Sequence, residues 1–167
     1  MAIGRFLAAI VALIWDPATG KYLILQRSAQ KDVGAGNWEC PTGRLDQGEG
    51  FEDALYREVW EELQVRPQIE FLLGTTHFHR GEAIPENELI GLVYGCTLPA
   101  PAAVQIGEEH AAMHWMSREE AFAFLPEAHW LRWCIHRAEL IRGTIPAGLA
   151  EVYRTEGFEI DESRIFK

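Results

Sequence analysis

The longest apolar run of the chain, residues 6–15, restricts the fold more than any other feature. It holds ten residues, is rich in Ile, Val and Leu, and ends at the turn-forming pair Asp16-Pro17. A membrane-spanning helix needs about 20 apolar residues, and no small-residue cleavage site follows the run, as one would after a signal peptide. A continuous apolar run of this length is typical of a strand that is buried on both faces. We therefore expect a buried strand in a cytoplasmic protein.

The rest of the chain alternates between strand and helix patterns. Residues 22–27 form a second apolar run after the turn, and the two runs predict a β-hairpin. Residues 49–65 have helical spacing that stops before Pro67. The other predicted elements are a loop over 28–37, a short strand and turn over 38–45, strands over 69–78, 89–98 and 112–116, and helices from Ser117 and over 128–142. This order predicts a sheet with helices packed on its faces, and it leaves residues 148–167 unassigned.

Length and charge narrow the classes of function. The chain has 167 residues, the size of one domain, so we expect a single domain over 1–167. The formal net charge of -10 disfavours binding to the phosphate backbone of DNA or RNA. A small phosphorylated substrate stays compatible with this charge, because a divalent cation can bridge carboxylate and phosphate. The 3 cysteines are odd in number and include no CxxC pair, which predicts reduced thiols.

Three glutamates, Glu58, Glu61 and Glu62, fall on one face of the predicted helix. Like charges at this spacing destabilise a helix by roughly 0.2–0.5 kcal/mol per pair. A bound divalent cation, which prefers oxygen ligands, would explain why the three carboxylates stand together; a solvated acidic face is the alternative. Arg57 can pair with Glu61 and fix its orientation. The opposite side, which we expect to face the core, holds Tyr56, Val59, Trp60 and Leu63.

The residues upstream extend this helix into a longer pattern. Gly43 is followed by five residues and Glu49, and seven more residues lead to Arg57-Glu58, an apolar residue, Trp60 and Glu61-Glu62. With these spacings, residues 43–65 resemble the signature of the Nudix hydrolases. The chain departs from that signature at Gln64, where the family has Gly, and Thr42 replaces the first of two glycines common before the motif.

The resemblance implies an α/β (α+β) fold, namely an α/β/α sandwich in which helices flank a mixed β-sheet. It also implies hydrolysis of a nucleoside diphosphate linked to another group, with Mg²⁺ or Mn²⁺ as cofactor. The implied metal ligands are the carbonyl of Gly43 and the carboxylates of Glu58, Glu61 and Glu62. Arg57 and Glu49 would orient this cluster. Gln64 should raise the cost of a left-handed helix end by about 1 kcal/mol, so we expect an altered exit from the helix.

An acidic turn late in the chain supplies a candidate general base. Family members often take the base, or a further metal ligand, from a glutamate in a loop before a late strand. Glu109 is the candidate here, with Glu108 in reserve, and a solvated acidic turn is the alternative interpretation. A carboxylate in this position would accept the proton of the attacking water. The implied catalytic residues are therefore Glu49, Arg57, Glu61 and Glu109.

Other noticeable residues are assigned mainly structural roles. His77 and His79 alternate on a predicted strand and share one side, but no third metal ligand is evident. We expect Trp38 to anchor the core and Cys40 to be a small buried residue. Candidates for contacts with substrate phosphates are Arg27, Lys31 and Arg44.

The substrate is reached only by elimination. Residues that mark family members acting on ADP-ribose, dinucleoside polyphosphates, NADH or coenzyme A are not found downstream of the motif. This leaves the class that includes (d)NTPs, oxidised ones among them. The alternatives are a non-catalytic nucleotide-binding or sensor domain, an ADP-ribose or dinucleoside polyphosphate pyrophosphatase, and an isoprenoid diphosphate isomerase. The expected partner is a small nucleotide, with no nucleic-acid polymer and no membrane, and the family also allows a homodimer.

Overall fold

The computed structural model describes residues 6–30 and 34–160, which form a mixed sheet flanked by helices. The strands are β1 (Leu7–Trp15), β2 (Tyr22–Arg27), β3 (Trp38–Glu39), β4 (Thr42–Arg44), β5 (Gln68–His79), β6 (Glu88–Thr97) and β7 (His110–Met116). The helices are α1 (Phe51–Leu63), α2 (Arg118–Phe124), α3 (Trp130–Arg142) and α4 (Ala147–Glu156). Short 3₁₀ turns at Pro85–Asn87 and Pro101–Ala103 flank β6. The predicted fold class is confirmed.

Strand β1 lies at the centre of the sheet. It runs parallel to β6 along its whole length, from Leu7↔Leu89 to Trp15↔Thr97, and β6 pairs in turn with β5 in antiparallel orientation. On its other side β1 meets β2 only near the turn, at Trp15↔Tyr22, so the predicted hairpin forms and then opens. Strand β4 pairs with β1 and strand β7 pairs with β2. This opening places β4, which carries Gly43, against the middle of β1 at Ile10.

The side chains of β1 enter two separate cores on the two faces of the sheet. Ile10, Ala12 and Ile14 pack on the face covered by α1, whereas Val11, Leu13 and Trp15 pack on the face covered by α2 and α3. This split follows from the period of two along a strand. Each fully buried aliphatic side chain contributes roughly 1.5–3 kcal/mol through loss of apolar contact with water. The prediction of a strand buried on both faces is confirmed.

The helix termini show where local sequence signals succeed. Ser117 caps α2: its hydroxyl accepts from the Glu120 backbone N–H at 3.2 Å, and the Glu120 carboxylate accepts from the Ser117 N–H at 2.7 Å.

Part of the unassigned stretch 148–167 forms α4, and residues 161–167 lie outside the described residues. Residues 31–33 of the predicted loop, with the phosphate-contact candidate Lys31, also lie outside them. The described part of that loop holds no helix or strand.

The exit of α1 differs from the expectation. Gln64 keeps the left-handed backbone, with φ of 56° and ψ of 29°, so the predicted alteration of the exit is wrong. Its backbone N–H and its side-chain amide both donate to the Trp60 carbonyl, at 2.9 and 2.8 Å. This second hydrogen bond helps to offset the cost of about 1 kcal/mol that a non-glycine residue incurs here.

Two further expectations can be compared with the described ranges. None of the helices there is both long and apolar enough to cross a membrane. The three cysteines are free, as predicted, and Cys40 is fully buried between the sheet and its covering helices.

Replacement of Gly91 by Ala should destabilise the fold, because a Cβ there would lie 2.7 Å from the Ala9 carbonyl oxygen of the paired strand. We expect a loss of about 1–3 kcal/mol in the free energy of unfolding, measured by urea denaturation. Gly148→Ala is the matched control, since a Cβ at that position meets nothing within 4 Å. A Gly91→Ala protein as stable as the Gly148→Ala protein would contradict the close packing of β1 on β6.

Candidate functional site

Helix α1 presents its acidic residues beside the edge of its buried face. Leu55, Val59 and Leu63 are fully buried against the sheet, and Glu62 is buried with them. Trp60, which we expected in the core, is 54% exposed instead. Residues two positions apart on a helix point to nearly opposite sides, so the burial of Glu62 leaves Trp60 facing solvent. The buried stripe of the helix is therefore narrower than the sequence suggests.

The side chain of Glu58 occupies the space that a side chain at Gly43 would fill. A Cβ on Gly43 would lie 1.8 Å from the Glu58 carboxyl carbon. Strand β4 can approach α1 this closely because position 43 has no side chain. The contact brings the backbone of Gly43 and the carboxylate of Glu58 to one place, as the sequence predicts.

Arg57 holds the loop over residues 45–50, here called the motif loop, against α1. Its guanidinium donates two hydrogen bonds of 2.8 Å to the Glu49 carboxylate, one of 2.8 Å to Glu58 and one of 2.9 Å to the Arg44 carbonyl. Glu61 is only 3.5 Å from the same guanidinium and its side chain is 58% exposed. The hydrogen bonds from Arg57 lower the pKa of Glu49, and Glu49 in turn raises the pKa of Arg57.

Glu62 is the most constrained carboxylate of the site. Burial raises its pKa well above the usual value, and the negative charges of Glu39, Glu58 and Glu109 raise it further; a hydrogen bond from the Thr42 backbone opposes them. Its Oε2 atom is buried and has no hydrogen-bond partner among the described residues. Burial also raises the pKa of Glu58, against the effect of Arg57. A cation would stabilise the ionised forms of both groups.

The loop before β7 is joined to the last turn of α1. Its Gln105 and Gly107 N–H groups each donate 3.0 Å hydrogen bonds, to the carbonyls of Leu63 and Glu62. These bonds satisfy carbonyls that a helix end leaves free. They also carry the next residues toward the carboxylates, and the charge of Glu109 acts on both Glu58 and Glu62.

Two buried polar residues beside Glu62, namely Glu39 and His110, are not predicted from the sequence as part of the site. Glu39 Oε1 accepts a 2.9 Å hydrogen bond from Arg27 and lies 3.3 Å from Nε2 of the buried His110, which is 3.8 Å from Glu62 Oε2. Arg27, a candidate for phosphate contact, therefore has a carboxylate partner within the protein. The available signal was a charged residue between Trp38 and Cys40, because a charge within a buried strand needs a partner.

The remaining candidates have mostly structural surroundings. Trp38 packs edge-on to Phe124, with ring centroids 4.8 Å apart, and joins the core below α2 and α3. His77 and His79 share one side of β5, with ring centroids 5.9 Å apart, and His77 lies 2.9 Å from Glu88. In the described ranges no three His, Cys, Asp or Glu side chains converge there or elsewhere as a preformed metal site.

The oxygen atoms around α1 nevertheless suit a divalent cation. The unpartnered Oε2 of Glu62 and the Glu58 carboxylate seated at Gly43 supply oxygen ligands, the type that Mg²⁺ and Mn²⁺ prefer. The Glu58 carboxylate accepts a hydrogen bond from Arg57 through Oε1. To bind a cation, it would either give up this hydrogen bond or use its other oxygen. A groove of about 560 Å³ opens beside Glu58, lined by Arg44, Glu49 and the start of β1.

Gly43→Ala should displace the Glu58 carboxylate and weaken Mn²⁺ binding by about tenfold or more, measured by calorimetric titration. Gly107→Ala is the control, because a Cβ there lies 3.6 Å from the Glu61 carbonyl, an ordinary contact at the same helix. Wild-type affinity in Gly43→Ala would show that this contact does not position a ligand.

Glu62→Gln should stabilise the metal-free protein at neutral pH. The raised pKa means that the folded chain binds a proton at Glu62 more tightly than the unfolded chain, so the ionised side chain destabilises the fold. Wild-type stability should therefore rise as the pH falls through this raised pKa toward the ordinary value of a glutamate, whereas the variant should be more stable than the wild type above the raised pKa and should lose that dependence. Chemical denaturation in chelator measures both quantities, and Glu61→Gln on the exposed side is the control. A less stable Glu62→Gln protein would contradict the assignment.

Comparison with curated proteins finds partial relatives. The chain is 31% identical to an octanoyltransferase of Myxococcus xanthus over 106 residues, 64% of this chain but 29% of that protein. It is 28% identical to a MutT-like protein of Streptomyces ambofaciens over 114 residues, 68% of this chain and 66% of that one. An RNA pyrophosphohydrolase of Shewanella piezotolerans is 38% identical over 58 residues, 32% and 34% of the two chains. The matches thus span less than two thirds of each relative.

Solved structures and a family model cover more of the chain. The MutT protein from Methanosarcina mazei Go1 superposes with a TM-score of 0.68 and 25% identity, over 85% of this chain and 99% of that one. A C. elegans Ap4A hydrolase in a binary complex has a TM-score of 0.67 and 21% identity, over 83% and 99% of the two chains, which shows a shared fold. The model of the NUDIX domain matches residues 5–138, a range that contains the motif loop, α1 and Glu109. The chain belongs to the Nudix family.

Proposed function

We propose that the chain is a divalent-metal-dependent pyrophosphohydrolase that cleaves the pyrophosphate linkage of a nucleoside diphosphate joined to a second group. One observation carries the proposal: the buried, unpartnered Oε2 of Glu62 lies in a site of four carboxylates, where an ordinary folded chain would leave a neutral or paired side chain. A divalent cation would provide that oxygen with a partner and neutralise the surrounding negative charge.

Glu58 and Glu62 would be the principal ligands of Mg²⁺ or Mn²⁺, with the Gly43 carbonyl as a further ligand. Glu61 would join at the exposed rim, since it is on the same helix face and within reach of Arg57. Arg57 and Glu49 would fix the orientation of Glu58, because the guanidinium bonds both carboxylates. When bound, the cation would neutralise phosphate charge and lower the pKa of an attacking water.

The proton of that water needs an acceptor close to the site. Glu109 is exposed in a loop tied to the end of α1, and its charge already acts on Glu58 and Glu62. We assign it the role of general base, which transfers the proton from the water as it attacks phosphorus. The bond between the attacked phosphorus and its bridging oxygen breaks, and two phosphorylated products leave.

The proposed substrates are (d)NTPs, including oxidised ones. This is the class that remains once the other subfamilies are eliminated from the sequence. The similarity to a MutT-like protein is compatible with that class, although it spans 66% of the relative. The shorter match to an RNA pyrophosphohydrolase introduces an RNA substrate as a second candidate. The net charge of -10 favours the small nucleotide over the polymer.

A hydrolysis panel tests this function. It should contain canonical and oxidised (d)NTPs, ADP-ribose, dinucleoside polyphosphates and 5′-triphosphorylated RNA, each with Mg²⁺, with Mn²⁺ and with chelator. We expect turnover of one class that requires metal and falls by about 100-fold or more in Glu62→Gln, since the ligand charge is lost. Glu109→Gln should lower kcat by about 100-fold, the typical contribution of a general base, while Mn²⁺ affinity is nearly kept.

The control variant is Glu119→Gln, an exposed carboxylate on α2 that pairs with Arg118, and it should leave turnover unchanged. Metal-independent turnover would contradict the mechanism. Mn²⁺ binding without turnover of any member would favour the binding or sensor alternative, and absence of Mn²⁺ binding would overturn the proposed site.

A further inference from the structure

The C-terminal part of the chain contacts the first turn of the acidic helix. Helix α4 and the residues that follow it lie beyond residue 138, where the match to the family model ends. Gly157, Phe158 and Glu159, here called the C-terminal clasp, reach back to α1 across more than 100 positions of sequence. The residues of α1 that take part lie within 43–65 but are not among the positions that the signature specifies.

Helix α1 has no side-chain cap from its own N-cap residue. Its N-cap residue is Gly50, which offers no side chain to the free N–H groups of the first turn. The Glu159 carboxylate takes that place: it accepts from the Phe51 N–H at 2.8 Å and from the Glu52 N–H at 3.1 Å. A negative charge at this end also interacts favourably with the helix dipole.

The contact is reciprocal. Glu52 Oε1 accepts the N–H groups of Phe158 and of Glu159, the latter at 3.0 Å. Each chain segment thus caps the backbone of the other with one carboxylate. Four N–H groups that would otherwise need water are satisfied by two side chains.

Two glycines make room for this exchange. A Cβ on Gly50 would lie 2.4 Å from Glu159 Oε2, and a Cβ on Gly157 would lie 2.9 Å from Glu52 Oε2. Gly157 also has a positive φ of 78°, a conformation that other residues adopt at a cost. Both glycines are therefore matched to the carboxylate of the opposite segment.

Apolar and ionic contacts hold the clasp in place. The Phe158 ring stacks on Tyr153 of α4 at 4.2 Å and packs edge-on to the buried Tyr94 of β6 at 5.7 Å. Arg154 of α4 bonds Glu70 of β5 at 3.1 Å. The latter bond anchors α4 on the sheet without touching α1.

We infer that Glu159 is a positioning residue for the metal site, and that the C-terminal clasp belongs to the catalytic unit although it lies outside the family match. The inference rests on the proposed function, in which α1 carries the metal ligands. The two ends of α1 are held by distant parts of the chain, the C-terminal end by the loop over 105–107 and the N-terminal end by Glu159. Glu58 and Glu62 project from the helix between these anchors, so their placement depends on both.

Calorimetric Mn²⁺ titration of the full chain tests the role of Glu159. Glu159→Ala should weaken Mn²⁺ binding by about fivefold, the fold-change that corresponds to the loss of one helix cap. Glu159→Gln keeps the shape of the side chain and one accepting oxygen, so its Mn²⁺ affinity should lie between those of the wild type and Glu159→Ala. Arg154→Gln is the matched control: it loosens the same C-terminal segment at Glu70 but leaves the cap intact, and its Mn²⁺ affinity should equal that of the wild type.

A rescue variant separates capping from general packing. Gly50 has φ of −83° and ψ of 167°, the extended conformation of an N-cap, so a serine at this position can cap α1 locally once the Glu159 side chain is removed. The double variant Gly50→Ser with Glu159→Ala should return Mn²⁺ affinity to within about twofold of the wild type. A general loss of packing at the C-terminus would not be restored by a serine at residue 50.

The outcomes are distinct. Equal Mn²⁺ affinity in Glu159→Ala and the wild type overturns this inference, as does failure of the serine to restore it or an equal loss in Arg154→Gln. A wild-type protein that binds no Mn²⁺ overturns the proposed function and this inference with it. Near-ultraviolet circular dichroism of each variant verifies that the compared proteins are folded.

Discussion

The architecture around α1 is organised by the burial of the Glu62 carboxylate. An ionised side chain in that position needs compensation, because burial disfavours charge and Glu39, Glu58 and Glu109 all add negative potential. The protein supplies only part of it, through a hydrogen bond from the Thr42 backbone. A fold selected for stability alone would place an apolar residue at this position.

Local geometry keeps Glu62 buried in spite of the unfavourable charge interactions. The helix cannot rotate it outward, since Leu55, Val59 and Leu63 fix the buried stripe in the α1 core. Nor can Glu58 retreat far, because Gly43 receives it on one side and Arg57 bonds it on the other. The charge of Glu58 therefore continues to act on Glu62, and a cation bound to both carboxylates would remove this repulsion.

The sequence predicts the backbone of this arrangement better than its buried partners. The apolar run over 6–15 predicts β1, helical spacing predicts α1 and α3, and the spacing from Gly43 to Glu62 identifies the acidic helix and its loop. Trp60 is placed wrongly because periodicity does not show how wide the packed stripe is. Glu39 and His110 are missed for another reason: they meet Glu62 only after β3, β7 and α1 have assembled, and they are 71 positions apart in the chain. Such contacts leave no local pattern.

The ends of α1 show the same distinction between local and long-range signals. Ser117 and Glu120 announce the start of α2 within four residues, so the sequence predicts that cap. Gly50 announces nothing, because its partner Glu159 lies more than 100 positions away and follows a helix that periodicity did not detect. A glycine at the N-cap of a functional helix is weak as a local signal, yet here it is the space into which a distant carboxylate fits. The absence of a local cap is thus informative, since free N–H groups at a part-buried helix start require a partner from elsewhere in the chain.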